Sequence, residues 1–330
     1  MTRKTERKII LRLLQILVAI VVGYYFFRAI HASRLDAMEL WRKGVDFKLL
    51  ALSIALIFCS YLYGIVLWRG LLSNLGYELS FRQAWRASVL SELAKYVPGK
   101  VWTYLGKAYI CKGYGVPPER TLLSSAVGTG LTWMAAAMVF LLSMPFWIDT
   151  AGNSRLMFIP ALAAVPLCAV CAHPRVMGLV VNTLLRLTGR PRMDVPVKYG
   201  VILLYSGHYV TWWVIYGTAF TVMASSIRGI EEFISLDFQM CLLMTGMIAI
   251  SLVAGSMVVF LPAGIGAREI ALQGLLSLIM PPYAAATIAI AARIWVSALE
   301  LLLLPLYLIS KGHGCIIGDS ARNDEEKPEE

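Results

Sequence analysis

A chain of 330 residues that is 58% hydrophobic and 15% charged, with mean hydropathy +0.69, departs from soluble domains. Those run about half apolar and a quarter charged. A net charge of +10 raises nucleic acid as a partner, but no Lys/Arg run interleaves with aromatics outside the apolar stretches, which excludes it. The composition predicts an all-α polytopic membrane protein.

A helix crosses a bilayer with roughly 20 mostly apolar residues. About seven segments meet that standard, near 9–28, 48–68, 121–144, 157–172, 199–223, 239–261 and 283–309. The first follows a basic tail (Arg3, Lys4, Arg7, Lys8, Arg12). Its apolar part is longer than a signal-peptide core and no small-x-small cleavage site follows, so it reads as a retained span. With basic residues also between two spans (Arg175, Arg186, Arg190, Arg192, Lys198), the positive-inside rule puts the N-terminus and the 173–198 segment in the cytoplasm. Residues 225–238, with Glu231, Glu232 and Asp237 against Arg228, suit the outer side. The mixed-charge segment 31–47 fits the rule poorly if it is external.

After the second span comes an interrupted region. "FRQAWRASVLSELA" forms a helix of about three turns, "KYVPGK" breaks it, and "VWTYLGKAYICK" runs on until Gly113, Gly115, Pro117 and Pro118. Neither piece is long enough to cross about 30 Å of hydrocarbon. A second interruption lies late, in "FLPAGIGAREIALQGLLSLIMPPY". There Pro262, Gly264 and Gly266 cut an apolar run and Arg268-Glu269 follows at once, as Pro98-Gly99-Lys100 does in the first. The expectation is about seven spans plus two Pro/Gly-broken re-entrant helix pairs. Such paired breaks point to a transport site built from an inverted repeat, although the halves share no obvious identity beyond them. The domain limits follow: membrane domain 1–312, with halves of about 1–172 and 199–312 joined by 173–198, then an acidic, disordered tail 313–330. Seven spans put the termini on opposite sides; if one broken segment crosses fully, both become cytoplasmic.

Broken helices persist inside a bilayer only where protein or a watery cavity satisfies their backbone. A half-helix starting near Gly99–Val101, and another near Gly266–Ala267, would aim a positive dipole end at an anion. Lys100 and Arg268 add formal charge there. Lys100 and Lys107 are seven residues apart and within about 20° of one helix face. Arg293 and Glu300 show the same spacing inside the last apolar run, where a charge costs about 2.5–3.5 kcal/mol to insert. Glu92 and Glu300 are the natural counter-ions. Substrate contacts are therefore expected from Lys100, Lys107, Arg268, Arg293, Glu300, Glu269 and Glu92. The competing readings are an ordinary loop at Pro-Gly-Lys, an Arg293–Glu300 pair that only holds helices together, and snorkelling by Lys107. His208 reads as an interfacial hydrogen-bonding residue beside an aromatic belt. Cys168, Cys171 and His173 mimic a metal spacing but lack a second ligand pair, so no metal or other cofactor is expected. The six cysteines give no disulfide framework.

"LAKYVPGKVWTYLGKAY" and "FLPAGIGAREIAL" resemble the paired signatures of the lysylphosphatidylglycerol synthase transmembrane (flippase-like) family, in order and spacing over roughly residues 10–310. Lys95, Pro98, Gly99 and Lys100 fall on the first motif; Pro262, Gly264, Gly266, Arg268 and Glu269 fall on the second, with Ala263 where Gly is common. The resemblance implies a translocase-like membrane module that moves a phosphate-containing lipid or lipid-linked sugar between leaflets. Only a short acidic tail follows residue 310, so a stand-alone module without the synthase domain is expected. The implied partners are lipids with anionic phosphate head groups, a cell-envelope lipid- or glycan-synthesis enzyme, and a second copy of the chain, in a prokaryotic inner membrane. No Gly-x-x-x-x-Gly-Lys-Ser/Thr motif is present to bind nucleotide. The alternatives are a membrane-embedded transferase, for which Glu92, Asp149 and Glu269 form no convincing constellation, and a scaffold subunit of a glycan pathway.

Overall fold

The computed structural model describes residues 42–94, 101–147, 166, 170, 173, 198–258, 264 and 266–311. These form eight α-helices: α1 Phe47–Ser73, α2 Phe81–Leu93, α3 Val101–Lys112, α4 Pro118–Ser143, α5 Tyr199–Ser225, α6 Phe238–Met257, α7 Ala267–Leu276 and α8 Pro282–Lys311. Lys95, Pro98, Gly99, Lys100, Asp149, Cys168, Cys171 and Pro262, and the spans expected at 9–28 and across most of 157–172, lie outside the described residues. His173 packs its ring 5.2 Å from that of Tyr199.

Among the described residues four helices are long and apolar enough to cross a membrane: α1, α4 with the 3-10 turn Met144–Trp147 that extends it, α6, and α8 as far as Pro305. At 27 residues α5 is as long as α1, about 40 Å, and contains no Asp, Glu, Lys or Arg. Its tyrosines, tryptophans and His208 lower its hydropathy. In contrast α2, α3 and α7 have 13, 12 and 10 residues, about 20, 18 and 15 Å, and none can cross alone.

Local chemistry sets these boundaries. Asp46 caps α1 by accepting from the Lys48 and Leu49 amides at 2.8 and 3.2 Å. Ser80 and Gln83 form a reciprocal capping box at α2, and Pro117-Pro118 opens α4. Asp237 caps α6 by accepting from the Met240 amide at 2.8 Å. That amide, then the Ser235 hydroxyl, holds the Asp237 carboxyl below its ordinary range. A depressed carboxylate stabilises the fold above the unfolded-state value, near pH 4, and loses that contribution as pH falls through the lowered value. Asp237→Asn keeps a capping oxygen but cannot titrate. Acid titration of thermal stability should therefore show a loss below about pH 4 in the parent that is smaller in Asp237→Asn.

Helices α1 and α5 pack along their lengths in opposite directions. Asp46 N–H donates to Ser226 O at 2.7 Å at one end, and Trp212 Nε1 donates to Ser60 O at 2.8 Å further along. The Asp46 end of α1 and the 226–237 loop thus share one side of the bundle, opposite the start of α5. Lipid tails are as apolar as the side chains they touch, so close backbone approach and hydrogen bonds replace hydrophobic burial as the cohesive terms. Gly217 of α5 lies against Thr245 of α6, and Gly246 of α6 against Ser143 of α4, with no room for a Cβ at either glycine. Among the longer helices, α4, α5 and α6 pack in mutual contact around buried Leu131, Phe220, Met244 and Met247. The short helices α2 and α3 lie side by side, with Gly106 facing the Ser91 backbone; α2 touches both α1 and α8. The short α7 is held between α6 and α8.

Candidate functional site

A cavity of about 340 Å³ opens where the α2–α3 pair meets α1, α4 and α5. Each wall is one helical stripe. Tyr61, Gly64, Ile65 and Trp68 line it from α1 at spacings of three, one and three; Ser125, Gly128, Thr129 and Thr132 line it from α4. The short helices contribute Ser88, Ser91 and Glu92 from α2 and Thr103, Tyr104 and Lys107 from α3. Tyr209 and Trp212 of α5 complete it.

Two of the expected residues, Glu92 and Lys107, therefore face one space. The Lys107 ammonium sits 3.9 Å from the Trp68 ring centroid, a cation–π contact, and within electrostatic reach of Glu92. Trp68 is in turn fixed by its indole N–H donating to Ser124 Oγ at 3.1 Å. Tyr104 and Thr129 share a hydroxyl contact of 3.0 Å across α3 and α4. Thr129 and Thr132 bond back to the carbonyls of Ser125 and Gly128 in their own helix, at 2.9 and 2.8 Å.

Three other hydroxyls at the cavity have no such outlet. Tyr61 Oη, Ser88 Oγ and Ser125 Oγ are buried and have no hydrogen-bond partner among the described residues. An orphaned buried hydroxyl costs about 1–3 kcal/mol. Three of them lie around one space, beside Glu92 and Lys107. The Tyr61 hydroxyl lies within electrostatic reach of both Glu92 and Glu300, and the last helix packs against both α1 and α2.

Arg268, Glu269 and Arg293 gather elsewhere, where α7 meets α8. Gly264 and Gly266 have φ of +68° and +87°, the left-handed region, and let the chain turn into α7. Glu269 Oε2 accepts from the Gly266 amide at 2.7 Å and so caps the helix its own residue belongs to. Its other oxygen is 3.9 Å from Arg293 Nε, a long ion pair. Glu269, rather than Glu300, is thus the carboxylate within ion-pair distance of Arg293 among the described residues. Arg268 is 6% exposed, and its Nη2 has no hydrogen-bond partner among the described residues. The cavity lining includes none of these three residues. One residue the sequence reading missed is Gly255 of α6, whose bare backbone receives both Gly264 and Arg268.

The hydroxyl stripe on α4 was also missed. Its signal is present in the sequence: Ser125, Thr129 and Thr132, four and three residues apart, put every hydroxyl on one face of an apolar span. His208, read as interfacial, meets the Tyr63 hydroxyl at 2.7 Å through Nδ1. It faces a second recess on the far side of α1.

No curated protein matches the chain. The family model described as lysylphosphatidylglycerol synthase TM region matches residues 12–303. A bundle of apolar helices interrupted by short ones, around a polar cavity, is what that match covers, and the chain belongs to the lysylphosphatidylglycerol synthase transmembrane family.

Proposed function

We propose that the chain is a lipid translocase, in which the cavity where α2 and α3 meet α1, α4 and α5 receives the phosphate-containing head group of a lipid or lipid-linked sugar. The observation that carries this reading is the lining itself: one cation, one anion and three unpartnered hydroxyls around one space. Charged side chains within spans are costly and mark substrate pathways. Lys107 attracts the phosphate, Glu92 balances the cavity when it is empty, and Ser88, Ser125 and Tyr61 replace water hydrogen bonds as the head group enters. The acyl tails stay in lipid. The pairs around 95–100 and 259–266 act as re-entrant segments, and membership of a family of lipid-synthase membrane regions supports a lipid as cargo.

Arg268, Glu269 and Arg293 hold the second break, and Glu300 couples it to the cavity through Tyr61. The chain sits in a prokaryotic inner membrane with its N-terminus and the basic 173–198 segment in the cytoplasm. That orientation puts the 226–237 loop and the start of α1 outside.

A leaflet-sidedness assay tests the proposal. Proteoliposomes containing the full chain and a head-group-labelled phosphatidylglycerol should move the label to the protected leaflet faster than empty vesicles, with the lipid recovered chemically unchanged. Lipid recovered with an altered head group would mark a transferase instead. No acceleration with phosphatidylglycerol or with a polyprenyl-phosphate sugar would refute translocation.

A further inference from the structure

A second recess, of about 360 Å³, lies between α1 and α5 and the turn that leads into α2. It shares no lining residue with the cavity above, being on the opposite face of α1. Its inner wall is polar and held in place. The Tyr63 hydroxyl and His208 Nδ1 are 2.7 Å apart, and the Tyr205 ring stands edge-on to the imidazole at 6.1 Å. Gly70 leaves the space that the Tyr205 hydroxyl occupies, since a Cβ at 70 would overlap it. Arg69 Nε donates to Leu79 O at 2.6 Å, which ties one edge of the guanidinium to the turn and leaves both Nη groups as donors. Glu78 lines the same recess, yet among the described residues no ion pair joins it to Arg69.

The outer lip is apolar. Val66 and Leu204 line the recess and are 45% and 61% exposed on the flank of two long apolar helices. In a bilayer that flank meets acyl chains. Arg69 is in the last turns of α1, so its guanidinium is at the depth of the head groups, where Tyr and cationic side chains concentrate. A cationic fork at one end, a Tyr–His pair about 9 Å deeper along α1, and an apolar lip open to the hydrocarbon match one ligand class. We propose that this recess is a binding site for an anionic glycerophospholipid, its phosphodiester on Arg69 and a chain over Val66 and Leu204. A free phosphate would use only the polar half. The site holds lipid whether or not the chain moves lipid through its cavity.

Native mass spectrometry of the full chain, released from nanodiscs of equal phosphatidylglycerol and phosphatidylcholine, tests it. The parent should retain phosphatidylglycerol over phosphatidylcholine, and Arg69→Gln should lower that retention about tenfold, the scale of a lost charge-assisted hydrogen bond. Leu204→Gln, a surface change that leaves the guanidinium in place, should lower retention too. Arg228→Gln, an exposed cation in the 226–237 loop at the other end of α1, should leave it unchanged, and excess inorganic phosphate should not displace the lipid. Equal retention of both lipids by the parent would overturn the proposal. So would loss with Arg228→Gln but not Arg69→Gln, or displacement by inorganic phosphate.

Discussion

Lys107→Met is expected to slow head-group translocation by roughly one to two orders of magnitude while leaving the chain folded. The charge-assisted hydrogen bond to a phosphate that it removes is worth about 1.5–3 kcal/mol, and each 1.4 kcal/mol is about a factor of ten. Methionine keeps a long unbranched stem against Trp68, so the packing on that ring survives. The cation–π contact is lost, at about 0.5–2 kcal/mol, but so is the cost of keeping an ammonium inside the bundle. The two changes offset, and the thermal midpoint should move little. Initial rates in the sidedness assay, set beside a melting curve of the same preparation, check both halves. A large drop in midpoint with an unchanged rate per folded molecule would make Lys107 a structural residue only.

The second large effect is on stability. Gly264→Ala should destabilise the fold by about 2–5 kcal/mol, more than any surface substitution. Gly264 has φ +68°, and a non-glycine residue in the left-handed region costs about 1–2 kcal/mol. A Cβ there would also lie 2.6 Å from the Gly255 carbonyl oxygen and 3.0 Å from its carbon. Backbone cannot rotate away as a side chain can, and overpacking costs about 1–3 kcal/mol more. Gly255→Ala probes the same seat from α6, where the new Cβ would meet Arg268 Cβ at 2.8 Å and its Cα at 3.3 Å. Both variants wedge apart the same approach of α6 to the turn into α7, so the double variant should cost less than the sum of the singles. Thermal unfolding in one detergent measures all three.

Much of the helix pattern was legible in the sequence because punctuation and apolarity agree. The expected segments 48–68, 121–144, 199–223, 239–261 and 283–309 correspond to α1, α4, α5, α6 and α8 within a few residues. Pro-Gly and Gly-x-Pro-Pro fixed the short α3 at Val101–Lys112, because proline and positive-φ glycine stop a helix wherever they stand. Of the site, charge was legible and partnership was not. Glu92 and Lys107 stand out because ionisable residues in apolar company are rare. Which carboxylate answers which cation depends on how α7 sits between α6 and α8, and helical spacing fixes a face, not the neighbour across it. Glu269 therefore reads as a substrate ligand in sequence, yet in space it caps α7 and approaches Arg293. The serine and threonine wall on α4 stayed hidden for another reason: back-bonded hydroxyls barely lower the hydropathy of a span.

The central claim is that the head group travels through the cavity lined by Thr103, Lys107 and Glu92. Thiol labelling tests it most directly. Thr103→Cys places a thiol in the cavity wall on α3, one helical turn from Lys107. In proteoliposomes a small charged methanethiosulfonate reagent should modify this cysteine, with the unsubstituted chain as baseline, and should stop translocation. Head-group-bearing lipid in excess should slow the modification. A Thr103→Cys protein that is modified yet moves lipid at the parent rate would contradict the account.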